Sequence, residues 1–240
     1  MRARAAPTRP TSSHPAPRPR HGTIRRGHRH AHTSVRAVFR PYSLDMGEPL
    51  AVAWPVQPMR TARLVVRPAH DGDRTGWVDL LRSPAVRHYL GGALDRVSVD
   101  AEWSHAALEM PGRFVVEAMG RFVGAVMVDR RPLARPGHLA YGVPEAEISY
   151  TFLPRAWGNG YATEAVAAVL QWLATALPDE PVVLCTQVAN EASVRLATRL
   201  GFQEVTRFEE FGAEQWFGVR FPSPPRSGDQ PLPRKPQGAE

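Results

Sequence analysis

Between residues 59 and 220 the hydrophobic positions change period several times, and each change predicts an element. Ala62 to Arg67 alternates as a strand and stops at Pro68. Asp71 to Leu81 then reads as a helix with Asp71 as N-cap and Trp77, Leu80 and Leu81 on one face. Ser98 to Glu109 predicts a second helix. Two β-rich runs, Arg113 to Ala118 and Phe122 to Val128, flank Met119-Gly120-Arg121, a short hairpin signal with glycine at the turn. After a Pro/Gly-rich loop, Glu145 to Leu153 forms another strand. Ala162, Ala165, Val166, Val169, Leu170 and Leu173 recur at helical spacing and give one apolar stripe. Val182 to Val188 is a nearly continuous apolar run, as expected of a buried strand. Asn190 opens a last helix, with Leu196, Ala197 and Leu200 on one face and Gly201 closing it. Phe202 to Phe208 and Glu214 to Val219 finish as strands. The order β-α-α-β-β-β-α-β-α-β-β predicts a mixed α/β domain, with antiparallel strands first and a crossover later.

Composition changes the picture mainly at the two ends. Residues 1–58 carry nine prolines and five histidines, with little apolar content before Val35, so they are expected to form a disordered Arg/Pro-rich arm. An upstream start site is the other explanation of this arm, with Met46 and Met59 as later starts. Residues 59–220 are then the folded domain, and 221–240, with six prolines, a second disordered tail. The formal net charge is +7. Residues 1–60 hold eleven arginines against two carboxylates, so the basic excess lies there and the remainder is slightly acidic. Such an arm offers a weak contact for nucleic acid but lacks the interleaved aromatics of a base-reading surface. Cys185 is the only cysteine, which excludes an intrachain disulfide and a cysteine-based zinc site and points to a reducing, cytoplasmic setting. The longest apolar stretch, Ala165 to Leu177, is too short to span a bilayer, so no membrane association is expected.

The chemistry concentrates at Arg155 to Thr163, between a strand and a helix. Gly158 and Gly160 let backbone N–H groups turn toward an anion, and the helix N-terminus adds about half a positive charge. A P-loop is excluded because no Gly-Lys-Ser/Thr follows. A dinucleotide fingerprint would need glycine where Thr163 stands, although Asp179 and Glu180 lie at the spacing of a ribose-binding acid. A coenzyme A site is the third possibility.

The run Thr61 to Pro68, the run Glu147 to Pro154, the signature Arg155-x-x-Gly158-x-Gly160-Tyr161-Ala162-Thr163-Glu164-Ala165, and Asn190 to Leu196 with Leu200-Gly201-Phe202 occur in order with fitting spacing. Together they resemble the GNAT superfamily of acyl-CoA N-acyltransferases, in particular the branch of ribosomal-protein N-terminal acetyltransferases and their small-molecule relatives. The resemblance implies a central mixed sheet flanked by helices, and acetyl-CoA as co-substrate without a metal. It also implies direct transfer to a primary amine of a protein N-terminus or a small molecule, in a monomer or homodimer. By the same resemblance, the loop around Arg155, Gly158, Asn159, Gly160, Tyr161, Ala162 and Thr163 holds the pyrophosphate. Phe152 and Leu153 then pair with the pantetheine, and Asn190 and Ser193 lie near the thioester. Two departures stand out: Ala62 replaces a common acid, and Ala197 stands where many members place the tyrosine that protonates the leaving thiolate. A catalytically idle acyl-CoA-binding module is therefore an alternative.

Acyl transfer from a thioester requires a neutral amine and protonation of the thiolate. Glu147, Ser149 and Thr151 alternate with Ile148, Tyr150 and Phe152, giving the strand one polar face. Glu147 is the candidate general base and Ser193, three residues after Asn190, the candidate donor to sulfur. Arg195 and Arg199 are further candidates to face the phosphates. Cys185 is expected to be an inert core residue.

Overall fold

The computed structural model describes residues 50–95 and 109–222. Eight strands form a single sheet: β1 (Met59–Arg60), β2 (Leu64–Pro68), β3 (Arg113–Ala118), β4 (Arg121–Arg130), β5 (Ala146–Phe152), β6 (Val182–Gln187), β7 (Gln203–Glu210) and β8 (Ala213–Arg220). Their spatial order is β1-β2-β3-β4-β5-β6-β8-β7. Neighbours pair antiparallel throughout except β5 and β6, which are parallel. A parallel pair needs a crossover, and helix α2 (Tyr161–Ala176) supplies it. Helix α1 (Arg74–Arg82) follows β2, and α3 (Glu191–Arg199) follows β6. Both hairpins turn on two residues with positive φ, Met119-Gly120 and Phe211-Gly212, the twist that two-residue turns need to match flanking strands.

The apolar stripe read from the sequence is the one α2 buries: Ala165, Val166, Val169, Leu170 and Leu173 pack against Leu64, Val66, Phe114, Val126 and Ile148 of the sheet. Each buried valine and leucine among them contributes about 1.5–3 kcal/mol, which outweighs the modest helix propensity of the valines. Ala197 and Phe202 join this same core, so α3 lies on the α2 face. On the opposite face Trp77 and Leu80 of α1 cover Val115 and Ala125, while Leu139 and Phe208 cover Cys185 and Phe217 farther along. The loop after β4 is held by Arg131, fully buried, whose Nε donates to Gly137 O at 2.7 Å and whose Nη2 donates to Pro136 O.

Three expectations change. Residues 50–58 do not lie apart from the domain: Leu50 is buried in the main core, and the Trp54 ring stands edge-on to Phe114 at 5.1 Å and to Trp172 at 6.2 Å. Their apolar residues find partners that the proline-rich composition of residues 1–58 as a whole does not reveal. The first helix opens differently, with a 3-10 turn at Asp71–Asp73 capped by His70, whose backbone N–H is in turn bonded by Asp73. The first strand is broken at Thr61 to Arg63 into β1 and β2. The helix expected from Ser98 lies outside the described residues, as do the arm before Leu50 and the tail after Pro222. Among the described residues no helix is long and apolar enough to cross a membrane.

Candidate active site

β5 and β6 stay paired for only two rungs, Ala146 with Val182 and Glu147 with Val183. Beyond these the two strands run on, β5 bonded to β4 as far as Phe152 and β6 to β8 as far as Gln187. A wedge therefore opens in the middle of the sheet, with strand backbone on both of its sides. An extended chain bearing amides fits such a gap as a strand addition does. A cavity of about 460 Å³ occupies the wedge, lined by Ser149 to Phe152 from β5, by Leu184 to Gln187 from β6 and by Asn190 and Ser193 at the start of α3.

One end of this cavity meets the start of α2. Gly158 and Gly160 both have φ of +75° and line the cavity with Trp157, Tyr161 and Ala162. Gly160 is the N-cap and no side chain caps the helix. Its carbonyl accepts the Glu164 N–H, so the amides of Tyr161, Ala162 and Thr163 precede the first helical bond and remain available to an anion. The loop is anchored from a distant part of the chain. The Glu164 carboxylate accepts from Thr61 Oγ1 at 2.5 Å, Arg63 N–H at 3.0 Å and Arg63 Nε at 2.8 Å. Arg63 Nη1 also donates to Asn159 O at 2.9 Å, and its guanidinium lies over the Tyr161 ring. The Thr61 hydroxyl first, then Arg63, hold the Glu164 carboxyl below its ordinary range despite some burial. Sequence reading missed Arg63 because its partners are about a hundred residues away; the Thr61 to Pro68 run was the only available signal.

The remaining expected ligands divide. Phe152 lines the cavity, and its carbonyl accepts Trp157 Nε1 at 2.7 Å. Leu153 does not line it. The Leu153 N–H is committed to Val123 O and its carbonyl to Ala156 N–H, and its side chain packs beneath α1, so both of its backbone groups already have partners. Arg155 points away and donates to Phe122 O at 2.9 Å. The Asn159 side chain folds back on Ala156 O and Trp157 O. Thr163 contributes a first-turn amide and is not part of the described lining. Arg195 pairs with Glu191 four residues earlier on the exposed face of α3.

At the α3 end of the cavity, Asn190 caps the helix through Oδ1, which accepts from Ser193 N–H at 3.3 Å. Ser193 is buried, and its Oγ lies 2.7 Å from the Tyr150 hydroxyl. Burial pushes the Tyr150 phenol up to about 12, against a smaller lowering by that hydrogen bond. Glu147 does not behave as an available base. It is absent from the described lining, and its carboxylate is bound by Arg131 Nη1 at 2.8 Å and Arg135 Nη1 at 3.4 Å. Alternation put it on the polar face with Ser149 and Thr151, which do line the cavity, but at Glu147 that face meets two arginines instead. Arg87 and Arg113, both buried, line the far side of the cavity; Arg113 pairs with Asp129 at 2.6 Å. Among the described residues, no group of three His, Cys, Asp or Glu is placed to hold a metal ion.

Comparison with known proteins gives the same architecture. The family model described as an acetyltransferase (GNAT) domain matches residues 63–203. An uncharacterized N-acetyltransferase, YoaA, of Bacillus subtilis (strain 168) is 37% identical over 59 residues, which span 25% of this chain and only 33% of that protein. The spermidine N-acetyltransferase of Vibrio cholerae, solved with CoA and spermine, superposes with a TM-score of 0.55 at 20% identity, covering 67% of this chain and 96% of that one. The ribosomal-protein-S5-alanine acetyltransferase of Vibrio fischeri gives 0.55 at 15% identity, covering 69% of this chain and 97% of that one.

Proposed function

Because the chain belongs to the GNAT acetyltransferase domain family, we propose that it transfers an acetyl group from acetyl-CoA directly to a primary amine. The observation that carries this reading is the wedge between β5 and β6 with the uncapped α2 N-terminus at its mouth. Pyrophosphate would bind the amides of residues 161–163 beside Gly158 and Gly160, and the pantetheine would extend along β5 toward Ser193. The acceptor nitrogen attacks the thioester carbon directly. The raised thiol of Cys185, pushed to about 12 chiefly by burial, makes it a poor nucleophile for a covalent route.

Two features favour an α-amine as acceptor. An α-amine near pKa 8 loses its proton at pH 7 for roughly 1.4 kcal/mol, whereas a lysine-like amine near 10.4 needs roughly 4.6 kcal/mol. With Glu147 held by two arginines, the cheaper deprotonation is the accessible one. The described lining also contains Arg87 and Arg113 and no carboxylate, a poor match for a polycation. A CoA-release assay across peptides with free N-termini, polyamines and aminoglycosides tests the reading, with mass spectrometry detecting one added acetyl group. Peptide α-amines should turn over fastest. Tight acetyl-CoA binding without turnover on any amine would favour the acyl-CoA-binding module instead. The cytoplasm, where acetyl-CoA and free N-termini meet, is the setting this activity requires.

A further inference from the structure

We propose that Tyr150 is the proton reservoir for the leaving thiolate, acting as a positioning and relay residue through Ser193. The proposal rests on the acetyltransferase reading above and adds to it a residue that sequence alternation assigned to the strand's apolar face.

Three observations carry it. First, β5 and α3, 43 residues apart in sequence, bring the phenol and the Ser193 hydroxyl to 2.7 Å inside the wedge, and both residues line the cavity. Second, the ordinary first-turn duties of Ser193 are met by its backbone: its N–H bonds Asn190 O at 2.9 Å and Asn190 Oδ1 at 3.3 Å. Two hydroxyls carry two protons, and the bond between them uses one. When Tyr150 donates to Ser193, the serine proton is free for a third atom, which on this proposal is the departing CoA sulfur. Third, Ala197, one turn farther along α3, is wholly buried in the core and offers no donor. The Tyr150–Ser193 pair is a donor on the cavity wall that does not depend on that position.

The acid strengths agree with this assignment. Burial raises the Tyr150 phenol to about 12 and the Cys185 thiol, on the same cavity, also to about 12. A CoA thiolate at similar depth is disfavoured by the same burial, which favours its protonation. As the C–S bond breaks, the electron pair stays on sulfur, the Ser193 Oγ proton moves to sulfur, and the Tyr150 proton moves to Oγ. The proton shed by the acceptor nitrogen returns through water to the phenolate. Net, one proton passes from amine to thiol.

The test compares Tyr150→Phe, Ser193→Ala and the double variant in the full chain, with acetyl-CoA affinity measured by calorimetry. Each single change should lower kcat by about 10²-fold while the acetyl-CoA KM stays within about threefold, and the double variant should be no slower than the slower single. The ratio of Tyr150→Phe kcat to wild-type kcat should fall as pH rises from about 7 to 9, because solvent then supplies the proton in the variant. Tyr150→Phe that binds acetyl-CoA and keeps wild-type kcat across this range overturns the proposal alone, as do losses that multiply in the double variant. Should Tyr150→Phe unfold, Ser193→Ala carries the same readouts. A wild-type chain that neither binds nor turns over acetyl-CoA overturns the acetyltransferase reading, and this proposal with it.

Discussion

Glu147 sits at the wedge's closed end, where β5 and β6 still pair, and Arg131 and Arg135 hold its carboxylate there. Arg131 is fully buried, so removing the charge opposite it leaves a guanidinium without its anion. Glu147→Gln should therefore cost about 3 kcal/mol of stability. Denaturant unfolding at pH 7 checks the size, and an unchanged pH profile of kcat/KM separates this role from that of a base. Tyr150 and Cys185 give the molecule an alkaline limit. Both are raised by burial, from 10 and 9 respectively to about 12, so the folded state favours their neutral forms. Their contribution is fully present below about pH 9 and is lost as pH climbs toward 12. Melting temperature should fall over this interval, and less steeply in Tyr150→Phe. Thermal scans at intervals of pH read both effects.

Two elements owe their shape to glycine. At Gly160 the φ of +75° begins α2 without a side chain over the first-turn amides, and an added Cβ would stand 3.5 Å from Arg63 Nη2. Space is ordinary there, so the cost of Gly160→Val comes from the left-handed backbone, about 1–2 kcal/mol or more for a β-branched residue. Acetyl-CoA affinity should fall at least tenfold in a chain that still folds, as calorimetry with circular dichroism would show. Gly124 poses the opposite case. Its φ is not positive, but a Cβ would lie 2.5 Å from the Phe152 ring and 2.6 Å from Thr151 O. Gly124→Ala should shift β5 at the wedge wall and cost about 1–3 kcal/mol. Thermal unfolding with and without CoA measures both the destabilisation and the weakened binding.

For the whole molecule, the boundary of the folded unit is the most direct prediction. Leu50 and Trp54 close the main core from before the first strand, so a chain beginning at Met59 should lose about 3 kcal/mol or more relative to one beginning at Met46. Matching melting curves for the two would remove Leu50 and Trp54 from the core. The sequence by itself determined most of the strand and helix order, the Met119-Gly120 hairpin and the α2 stripe, because alternation, helical spacing and glycine turns are local signals. It also determined the glycine turn that opens α2, since Gly158 and Gly160 stand between a strand and a helix. Only the tertiary structure decided which polar groups act together. Arg63 reaches Glu164, Tyr150 reaches Ser193 and Arg131 reaches Glu147 across segments whose relative placement no local period encodes. The physical reason is that a side chain's chemistry depends on its neighbours in space: burial and hydrogen bonding turned an apparent core tyrosine into a cavity hydroxyl and an apparent base into a buried ion pair.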